Sequence, residues 1–594
     1  MLKKPDIKEH KHHSDSLIRN VLINRGIKDI DLFMEPTAED NISFDNYKNM
    51  DFAVKNTIYH LTKGSKILII VDPDADGFTS SSMLYQVLLD IKENYNSQSE
   101  LDIFIQPDKQ HGLTESVMDY IMESQPDLLL VPDAGSNDID ELLMLSTSGY
   151  NTIVIDHHEL EKEELIDLIE NTTIINNQRR NENTKVNKHL TGVGMVYKFV
   201  EGLYHYLNSS ETKLKDIESY LDLFAIGQIG DASDISDNEI RYNMFKGLNN
   251  VNNSLLNSTL KIKNISRNGL TPQDMSFSII PMINATTRIG NKNERYSLFK
   301  GLTIDKNKDD LVIKNKRKLN KETRKYEYID FEIPISESIA EDIIKVKTRQ
   351  DALVKKEIAK LDGSIDTNQP ILVYKTDKIE DGSITGLVAM KLSKKYEKPC
   401  FVLLHDKDKN IWSGSARGID NILDSFKDWC NDTKLFNYAQ GHAQAFGVEI
   451  TDDNLNKLGE LIKVSDIKKS DTILVDKKYE NDISCNDVNL AIDYKKIIGG
   501  KVSPILLGFE NIKINRTDII IKKTMIEFKI GSVHFVMWGV PDEIKSLLEV
   551  GFSELLNLTM VGEPFETNFS GKSSNKVVIK ELFIDDVDEG DFIF

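Results

Sequence analysis

Three short hydrophobic runs, each followed within two residues by an acidic residue, constrain the fold of this 594-residue chain more than any other feature. The runs span residues 66–71 (KILIIV), 127–131 (DLLLV) and 152–155 (TIVI), and they have the branched, turn-bounded composition of buried parallel strands. Residues 101–105 and 172–175 are predicted as further strands, with helical periodicity between the strands. This alternation predicts a doubly wound α/β domain, whose ligands bind beyond the carboxyl ends of the strands.

Acidic and histidine residues begin where the predicted strands end. Three clusters follow the runs and a fourth lies farther along the chain: Asp72-Pro73-Asp74-Ala75-Asp76-Gly77, Asp133-Ala134-Gly135-Ser136, Asp156-His157-His158 and Gly230-Asp231-Ala232-Ser233-Asp234. Because parallel strands end at one edge of a sheet, we expect these side chains to converge. Carboxylates with one imidazole suit Mn²⁺ or Mg²⁺, and two such ions about 4 Å apart promote phosphodiester hydrolysis.

The first cluster has two other interpretations. D-x-D-x-D-G also opens an EF-hand calcium loop, but position twelve of that loop should be a Glu and both flanks should be helices. Here position twelve is Met83 and the upstream flank is strand-like. A solvated acidic turn is the second alternative, because 95 acidic against 74 basic residues give the chain a net charge of −21. Four clusters in register disfavour coincidence.

Together the clusters resemble the motifs of the DHH phosphoesterase superfamily, and further segments extend the resemblance toward the RecJ-like single-strand exonucleases. These segments look like RecJ motifs in the expected order: residues 22–56, 190–198 (LTGVGMVYK), 281–290 (PMINATTRIG), 413–418 (SGSARG) and 441–447 (GHAQAFG). The resemblance covers nearly the whole chain. It implies a metal-dependent exonuclease that degrades single-stranded DNA in the 5′ to 3′ direction, in DNA recombination, repair or replication.

The resemblance also implies roles for individual side chains. Two ions, Mn²⁺ or Mg²⁺, would be held by six residues: Asp72, Asp74, Asp76, Asp133, His157 and Asp231. Asp133 would bridge the two ions, and Asp72 would either bind an ion or orient another ligand. His158 would face the scissile phosphate, and Asp156 would hold a histidine in the correct tautomer. The expected phosphate-binding residues are Lys109, Arg288, Ser415, Arg417 and His442. Lys109 stands where RecJ proteins commonly have an Arg. It therefore offers a compact ammonium charge in place of a planar guanidinium group that can donate two hydrogen bonds to one phosphate.

The predicted architecture is a multidomain α/β protein. The expected parts are an N-terminal segment packing on the catalytic domain (1–60), a DHH catalytic domain (61–305), a basic segment and connecting helix (306–365), a smaller α/β DHH-associated domain (366–468), an OB-fold-like β-barrel (469–584) and an acidic tail (585–594). The connecting helix rests on apolar spacing over residues 336–361, and the barrel rests on short β-rich runs beyond residue 470. Phe528, Phe535 and Trp538 are either stacking platforms for bases or barrel core.

Composition limits the location and the partners. No apolar run approaches the roughly 18 residues that span a membrane, and the N-terminus has no hydrophobic signal core, so we expect a cytoplasmic protein of a bacterial or phage-infected cell. Three cysteines are too few and too far apart for a disulfide framework. The negative net charge is unusual for a nucleic-acid-binding protein. Residues 314–325, with seven Lys or Arg against one Glu, either track phosphates or form a solvated helix face or loop.

Single-stranded DNA is the expected substrate, the expected oligomeric state is a monomer, and a single-stranded-DNA-binding protein or a helicase is a candidate partner. The tail, DDVDEGDFIF, looks like the partner-binding tip of single-stranded-DNA-binding proteins, with a frayed acidic end as the alternative. Two other functions stay open. One is a DHH-family phosphodiesterase acting on short oligonucleotides or cyclic dinucleotides, which the C-terminal β-rich region disfavours. The other is a non-catalytic replication scaffold, which the intact acidic motifs disfavour.

Overall fold

The computed structural model describes residues 6–107, 110–179, 184–207, 214–305, 307–319, 324, 326–360, 365–377, 379, 381–407, 409–419, 422–465, 467, 472–480, 483–497, 503–549, 554–569 and 572–585. The chain divides into two units. The first comprises residues 1–104, 111–280 and 471–594, and the second comprises residues 105–110 and 281–470. The acidic tail beyond residue 585 lies outside the described residues.

The strands, in chain order, are β1 Asp6–Glu9, β2 Lys66–Val71, β3 Glu100–Ile105, β4 Leu128–Pro132, β5 Thr152–Asp156, β6 Thr172–Asn176, β7 Leu311–Leu319, β8 Tyr326–Pro334, β9 Leu372–Thr376, β10 Cys400–Asp406, β11 Ile411–Arg417, β12 Phe436–His442, β13 Ala445–Thr451, β14 Thr472–Val475, β15 Lys477–Tyr479, β16 Leu507–Asn515, β17 Ile520–Lys522, β18 Met525–Ile530, β19 Val533–Trp538, β20 Leu555–Phe569 and β21 Lys572–Asp585.

The helices are α1 Leu17–Asn24, α2 Ile30–Met34, α3 Met50–Lys63, α4 Ala75–Asn94, α5 Glu115–Ser124, α6 Ile139–Thr147, α7 Glu163–Ile166, α8 Gly192–Leu207, α9 Leu221–Gly230, α10 Asn238–Asn249, α11 Ser254–Ile262, α12 Pro272–Asp274, α13 Ile280–Ile289, α14 Lys292–Thr303, α15 Ile335–Lys360, α16 Thr385–Tyr396, α17 Phe426–Thr433, α18 Asp452–Val464, α19 Cys485–Ile497 and α20 Asp542–Glu549. Across the described residues, every helix is too short or too polar to cross a membrane.

A five-stranded sheet in the order β3-β2-β4-β5-β6 organises the first unit. Strand β4 pairs in parallel with both β2 and β5, and β5 pairs in parallel with β6, which confirms the predicted parallel sheet. All residues of β4 and β5 are buried, as expected for strands covered on both faces. The ends of β2, β4 and β5 therefore deliver the first three acidic clusters to one edge of the sheet.

A second sheet of this unit contains seven strands in the order β15-β16-β20-β21-β19-β18-β17. The described strands do not form the predicted barrel. Closing a barrel would require the two edge strands to pair with each other, but this sheet stays open, with β15 on one edge, paired with β16, and β17 on the other. Phe528 and Phe535 are buried in its core, as the second interpretation of these rings predicted, whereas Trp538 is half-exposed. Leu17 and Phe33, from the N-terminal helices, belong to the same core.

A buried ion network joins the N-terminal segment to the helices around the parallel sheet. Nζ of Lys198, in α8, lies 2.7 Å from Glu239 Oε1 and 3.0 Å from Glu201 Oε2. The Glu239 carboxylate also accepts hydrogen bonds from the backbone N–H of Ile42 (3.0 Å) and from Asn187 Nδ2 (2.9 Å). Helices α8 and α10, the N-terminal segment and the loop before α8 therefore share one charged centre.

The second unit is built on a five-stranded sheet in the order β12-β13-β11-β10-β9. Strands β9 and β10 are parallel, and the other pairs are antiparallel. Two apolar cores pack in this unit, one including Phe401 and Val448 and the other including Leu372 and Val388. The helix predicted over residues 336–361 is α15, Ile335–Lys360. The unit is thus a mixed α/β assembly.

Residues 314–319 of the basic segment lie in strand β7, which pairs with β8 in an antiparallel ladder; the sequence left open phosphate tracking or a solvated helix face or loop. Lys314 Nζ lies 3.1 and 3.2 Å from two acidic side chains of α15, so helix packing occupies this charge. The Arg317 guanidinium lies 4.0 Å from the centre of the Tyr326 ring. The tip, residues 320–323 and 325, lies outside the described residues, so phosphate tracking by this segment stays a prediction.

We expect Lys198→Met to lower the free energy of unfolding of the first unit by about 3 to 5 kcal/mol, because the substitution leaves buried carboxylates without their cation. Chemical denaturation followed by circular dichroism measures the loss. Adding Glu239→Gln should recover part of it, by removing one uncompensated charge. The control is Lys246→Met, whose amine pairs with a partly exposed Glu218 and should change stability by less than about 1 kcal/mol. Equal effects of the two lysine substitutions would contradict the role of the network.

Candidate functional site

The carboxyl edge of the parallel sheet gathers acidic and histidine side chains from four separate sequence clusters. Asp133 directly follows β4, and His157 directly follows β5. Nε2 of His157 lies 3.2 Å from Asp133 Oδ1. The same nitrogen lies 3.9 Å from Oδ2 of both Asp76 and Asp231. One imidazole is therefore surrounded by three carboxylates.

The N-terminus of α8 fixes Asp76. Its Oδ2 accepts a hydrogen bond from the backbone N–H of Gly192 (2.7 Å), and its Oδ1 accepts one from Val193 (2.9 Å). The first N–H groups of a helix have no partner within the helix and carry partial positive charge, so they stabilise a carboxylate. Asp74 caps α4 instead, where its Oδ1 accepts from the N–H of Gly77 (2.9 Å). Backbone donors therefore orient both aspartates.

Asp133 has an energetically unfavourable backbone conformation and a buried carboxylate. Its φ of 65° lies in the left-handed region, which few residues with a side chain adopt, and such strain concentrates at functional sites. His157 Nε2 lies 3.2 Å from its buried Oδ1 without the geometry of a hydrogen bond, and this oxygen accepts none within the described part of the chain. A buried carboxylate oxygen without a donor is unfavourable unless a cation binds it. This oxygen therefore points to a cation site.

Glycines leave the space that the carboxylates occupy. An added Cβ atom would lie within 2.2 to 2.6 Å of a carboxylate side chain at three positions: Gly77 against Asp72, Gly192 against Asp133 and Gly227 against Asp76. Such distances are far inside van der Waals contact, so any larger residue would displace the aspartates. The sequence analysis did not identify these glycines as site residues, although two of them lie in the quoted motifs. Only the packing of α4, α8 and α9 shows what each one faces.

Burial raises the pKa of the carboxyl groups around His157. Burial, and next the charge of Asp76, raise the pKa of Asp231 to about 8. The same two causes raise the pKa of Asp133 well above its usual value. Burial and the charge of His158 lower the pKa of His157, so its imidazole is neutral. The carboxyl groups and the neutral His157 imidazole offer oxygen and nitrogen lone pairs, which is the environment that a divalent cation stabilises.

Asp156 holds the second histidine of the Asp-His-His cluster. Its Oδ1 accepts from His158 Nδ1 (2.7 Å), and its Oδ2 accepts from the N–H of Ser136 (3.1 Å). Burial alone disfavours both charged forms, but their mutual attraction and hydrogen bond outweigh it, raising the pKa of His158 to about 10 and lowering that of Asp156. The His158 side chain is 52% exposed, so a positively charged imidazole borders the pocket.

Asp72 has a partner that the sequence analysis missed. Its Oδ1 accepts from the N–H of Gly112 (3.2 Å), and its Oδ2 contacts Nδ1 of His111. Burial raises the pKa of Asp72 to about 6. His111 belongs to no cluster in the sequence, and a lone histidine in a loop carries no signal by itself. The structure alone brings it to the end of β2.

Three groups of side chains place possible ligand atoms within 4.8 Å of one another: Asp76, His157 and Asp231; Asp72, Asp74 and His111; and Asp133, Asp156, His157 and His158. Oxygen-rich sets with imidazole suit Mn²⁺ or Mg²⁺. The donorless oxygen of Asp133 and the space left by the glycines also fit bound cations. The EF-hand interpretation is wrong, because the first cluster joins strand β2 to helix α4 and Met83 is buried within that helix.

In the second unit, Ser415 and Arg417 lie two residues apart on β11 and so share one face of the sheet. Ser415 Oγ lies 2.9 Å from Thr385 Oγ1, and Arg417 packs so closely on α16 that a Cβ at Gly386 would lie 2.6 Å from its Nη2. Burial and the charge of Arg288 lower the pKa of Arg417 to about 10. Two guanidinium groups, two hydroxyls and a helix N-terminus together form an arrangement suited to an anion.

The two other predicted phosphate-binding residues have different outcomes. His442 is exposed at the end of β12, where it pairs with Ala445, and Ala445 pairs in turn with Arg417. His442 and Arg417 therefore flank the same residue of β13. Lys109 lies outside the described residues. Thr385 and Gly386 were not predicted, because their contribution depends on α16 packing against β11.

The profile of the DHH family, N-terminal domain, matches residues 66–228. This span contains the first three clusters and ends three residues before Asp231.

Similar proteins extend over most of the chain. The "Putative SPbeta prophage-derived single-strand DNA-specific exonuclease YorK" of Bacillus subtilis is 30% identical over 97% of this chain and 97% of its own length. The single-stranded-DNA-specific exonuclease RecJ of the same organism is 25% identical over 75% of this chain and 52% of its own length. The crystal structure of RecJ in complex with Mn²⁺ from Thermus thermophilus has a TM-score of 0.68 at 15% identity, covering 96% of this chain and 76% of that chain. That structure shares the fold.

We expect Gly192→Ala to weaken Mn²⁺ binding at least about tenfold, because the added methyl group would collide with Asp133 Oδ1 and shift it. Isothermal titration calorimetry on metal-stripped protein measures the change. Gly459→Ala is the matched helical control, since a Cβ there meets nothing within 4 Å. Equal Mn²⁺ affinities for both variants would show that the space beside Asp133 is not required.

Proposed function

Because the chain belongs to the DHH family, among the relatives of RecJ, we propose that it is a metal-dependent exonuclease that degrades single-stranded DNA from the 5′ end. One observation carries the proposal: Asp76, Asp133 and Asp231 converge on His157 around a buried carboxylate oxygen without a donor. The names of the similar proteins, which specify single-stranded DNA, support the substrate.

We assign two cations, Mn²⁺ or Mg²⁺, to this pocket. The proposed ligands are Asp74, Asp76, Asp133, His157 and Asp231, with Asp133 shared by both cations and Asp72 ligating or orienting. When bound, such ions neutralise charge on a phosphate and promote the ionisation of water near neutral pH. The Mn²⁺ complex of the structurally similar RecJ supports this assignment.

His158 is the proposed substrate-facing group of the chain itself. Asp156 holds its Nδ1, so Nε2 is the nitrogen left to donate a hydrogen bond to a nonbridging oxygen of the scissile phosphate. Negative charge grows on the phosphoryl group during hydrolysis, so a fixed imidazolium stabilises the transition state more than the ground state. Asp156 keeps the ring charged and oriented, because the pair attract each other at short range.

The arginine pocket of the second unit is proposed to bind the terminal 5′ phosphate. Arg417 would bind the phosphate with two hydrogen bonds from its planar guanidinium group. Arg288 would add positive charge, and Ser415 would add a hydroxyl. His442 is proposed to line the same pocket, and Lys109 to contact a phosphate near the cut. Burial, and next the charge of Arg288, lower the pKa of Arg417, so a bound phosphate would offset both the burial of this charge and the repulsion between the two arginines.

The cellular setting follows from the same assignment. We propose a monomeric cytoplasmic enzyme of a bacterial or phage-infected cell, acting in DNA recombination, repair or replication. The seven-stranded sheet would guide the strand in the manner of an OB-fold, with Trp538 as its exposed aromatic platform. The acidic tail would dock on a helicase or a single-stranded-DNA-binding protein.

With Mn²⁺, we expect release of mononucleotides from a 5′-labelled single strand, and Asp133→Ala should slow this release at least about a thousandfold. The reason is that lost cation binding removes several kcal/mol of transition-state stabilisation. His157→Ala should behave alike, whereas Asp140→Ala, an exposed acid of α6, should be as active as the wild type. Products are resolved on denaturing gels. Faster turnover of a cyclic dinucleotide than of the strand would favour the small-substrate phosphodiesterase instead.

Arg417→Ala should reduce cleavage of a 5′-phosphorylated strand by about 10- to 100-fold, because a charge-assisted contact to phosphate contributes about 1.5 to 3 kcal/mol. Arg417→Lys should restore only part of the rate, since a lysine keeps the charge and loses the planar guanidinium group. Lys391→Ala, an exposed cation of α16, is the control. Initial rates on strands labelled at either end check both rate and direction. Unchanged rate and direction in Arg417→Ala would show that this pocket does not bind the strand end.

A further inference from the structure

His111 is an imidazole at the edge of the acidic pocket for which the proposed mechanism has no use. Its Nδ1 contacts Oδ2 of Asp72, and its possible ligand atom lies within 4.8 Å of those of Asp72 and Asp74. The side chain is 57% exposed while that of Asp72 is 2% exposed, so the ring covers a buried carboxylate from the open side. An imidazole there adds a nitrogen donor to two oxygen donors.

Two carboxylates, the buried Asp72 and the partly buried Asp138, fix the loop that carries His111. Gly112 donates its backbone N–H to Asp72 Oδ1, and Leu113 donates its own to Asp138 Oδ2 (2.7 Å). Gly112 has a φ of 81°, and a Cβ there would lie 2.1 Å from Asp138 Oδ2, so only glycine fits. The position of His111 is therefore set by the contacts of Gly112, which lies against both Asp72 and Asp138.

The resulting group has the same composition as one of the two possible ligand groups that contain His157. Asp76, Asp231 and His157 offer two carboxylates and one imidazole, and Asp72, Asp74 and His111 offer the same donors. Histidine ligands in proteins commonly contact a carboxylate through one nitrogen and the metal through the other, or share the metal with that carboxylate. The contact between His111 and Asp72 is compatible with either arrangement.

We propose that His111 is a ligand of the cation held by Asp72 and Asp74, so that each of the two cations is bound by one imidazole. This inference rests on the proposed function, because it needs two cations in the pocket. It adds a ligand from outside the four acidic clusters. A ligand in the loop before α5 also makes occupation of this cation site dependent on the loop being folded against Asp72 and Asp138.

The test is a Mn²⁺ titration of metal-stripped full-length protein by calorimetry. We expect two ions to bind to the wild type. His111→Ala should weaken one ion at least about tenfold and leave the other unchanged. His111→Gln should do the same while keeping a hydrogen-bond donor near Asp72, which separates loss of a ligand from collapse of the loop. The control is His189→Ala, an exposed loop histidine, which should bind both ions as the wild type does.

Pulsed electron paramagnetic resonance gives a second readout independent of activity. The wild type should show imidazole nitrogen coupled to both Mn²⁺ ions. The His111→Ala and His157→Ala variants should each lose the coupling of one ion, and the double variant should lose both. Two ions bound with wild-type affinity and full nitrogen coupling in both His111 variants would overturn the inference, even if cleavage slowed. A wild type that binds no Mn²⁺ would overturn the proposed function as well. If the wild type binds two ions and degrades strands while the His111 variants behave like it, only the role of His111 is wrong.

Discussion

The crowding of like charges at the edge of the parallel sheet is the constraint on which the first unit depends. Asp76, Asp133 and Asp231 lie close to one imidazole; Asp76 and Asp133 are buried, and Asp231 is partly buried. Such an arrangement opposes folding unless fixed donors and a cation compensate it. The N-terminus of α8 supplies donors to Asp76, while Asp133 Oδ1 is left for a cation.

The position of α8 is itself held from several directions. The loop before the helix is tied down by Asn177, whose Nδ2 donates to the carbonyls of Asn187 (3.0 Å) and Leu190 (2.8 Å). Lys198 and Glu239 then join α8 to α10 and to the N-terminal segment. A change in this distant network would move the N–H groups that orient Asp76. Stability and the geometry of the pocket are therefore linked through one helix.

Two histidines at the pocket show how burial and partners assign different roles to the same residue type. His157 is surrounded by carboxyl groups but stays neutral, because burial and the neighbouring positive charge lower its pKa. His158 is charged, because its attraction to Asp156 and the hydrogen bond between them outweigh the cost of burial and raise its pKa. Adjacent residues thus become a candidate ligand and a candidate phosphate contact. A related principle applies in the second unit, where burial and the charge of Arg288 lower the pKa of Arg417.

The sequence by itself determined which strands of the parallel sheet form and which residue types follow them, because a hydrophobic run and the residue after it are local signals. Only the tertiary structure decided that β15 takes the free edge of β16 and leaves the C-terminal sheet open, and that residues 314–319 of the basic segment lie in β7, with Lys314 paired to α15. It also decided that His111 reaches Asp72 and that Gly192 makes room for Asp133. The physical reason is the range of the interactions, since these contacts depend on how separate helices, strands and loops pack, which no local pattern records.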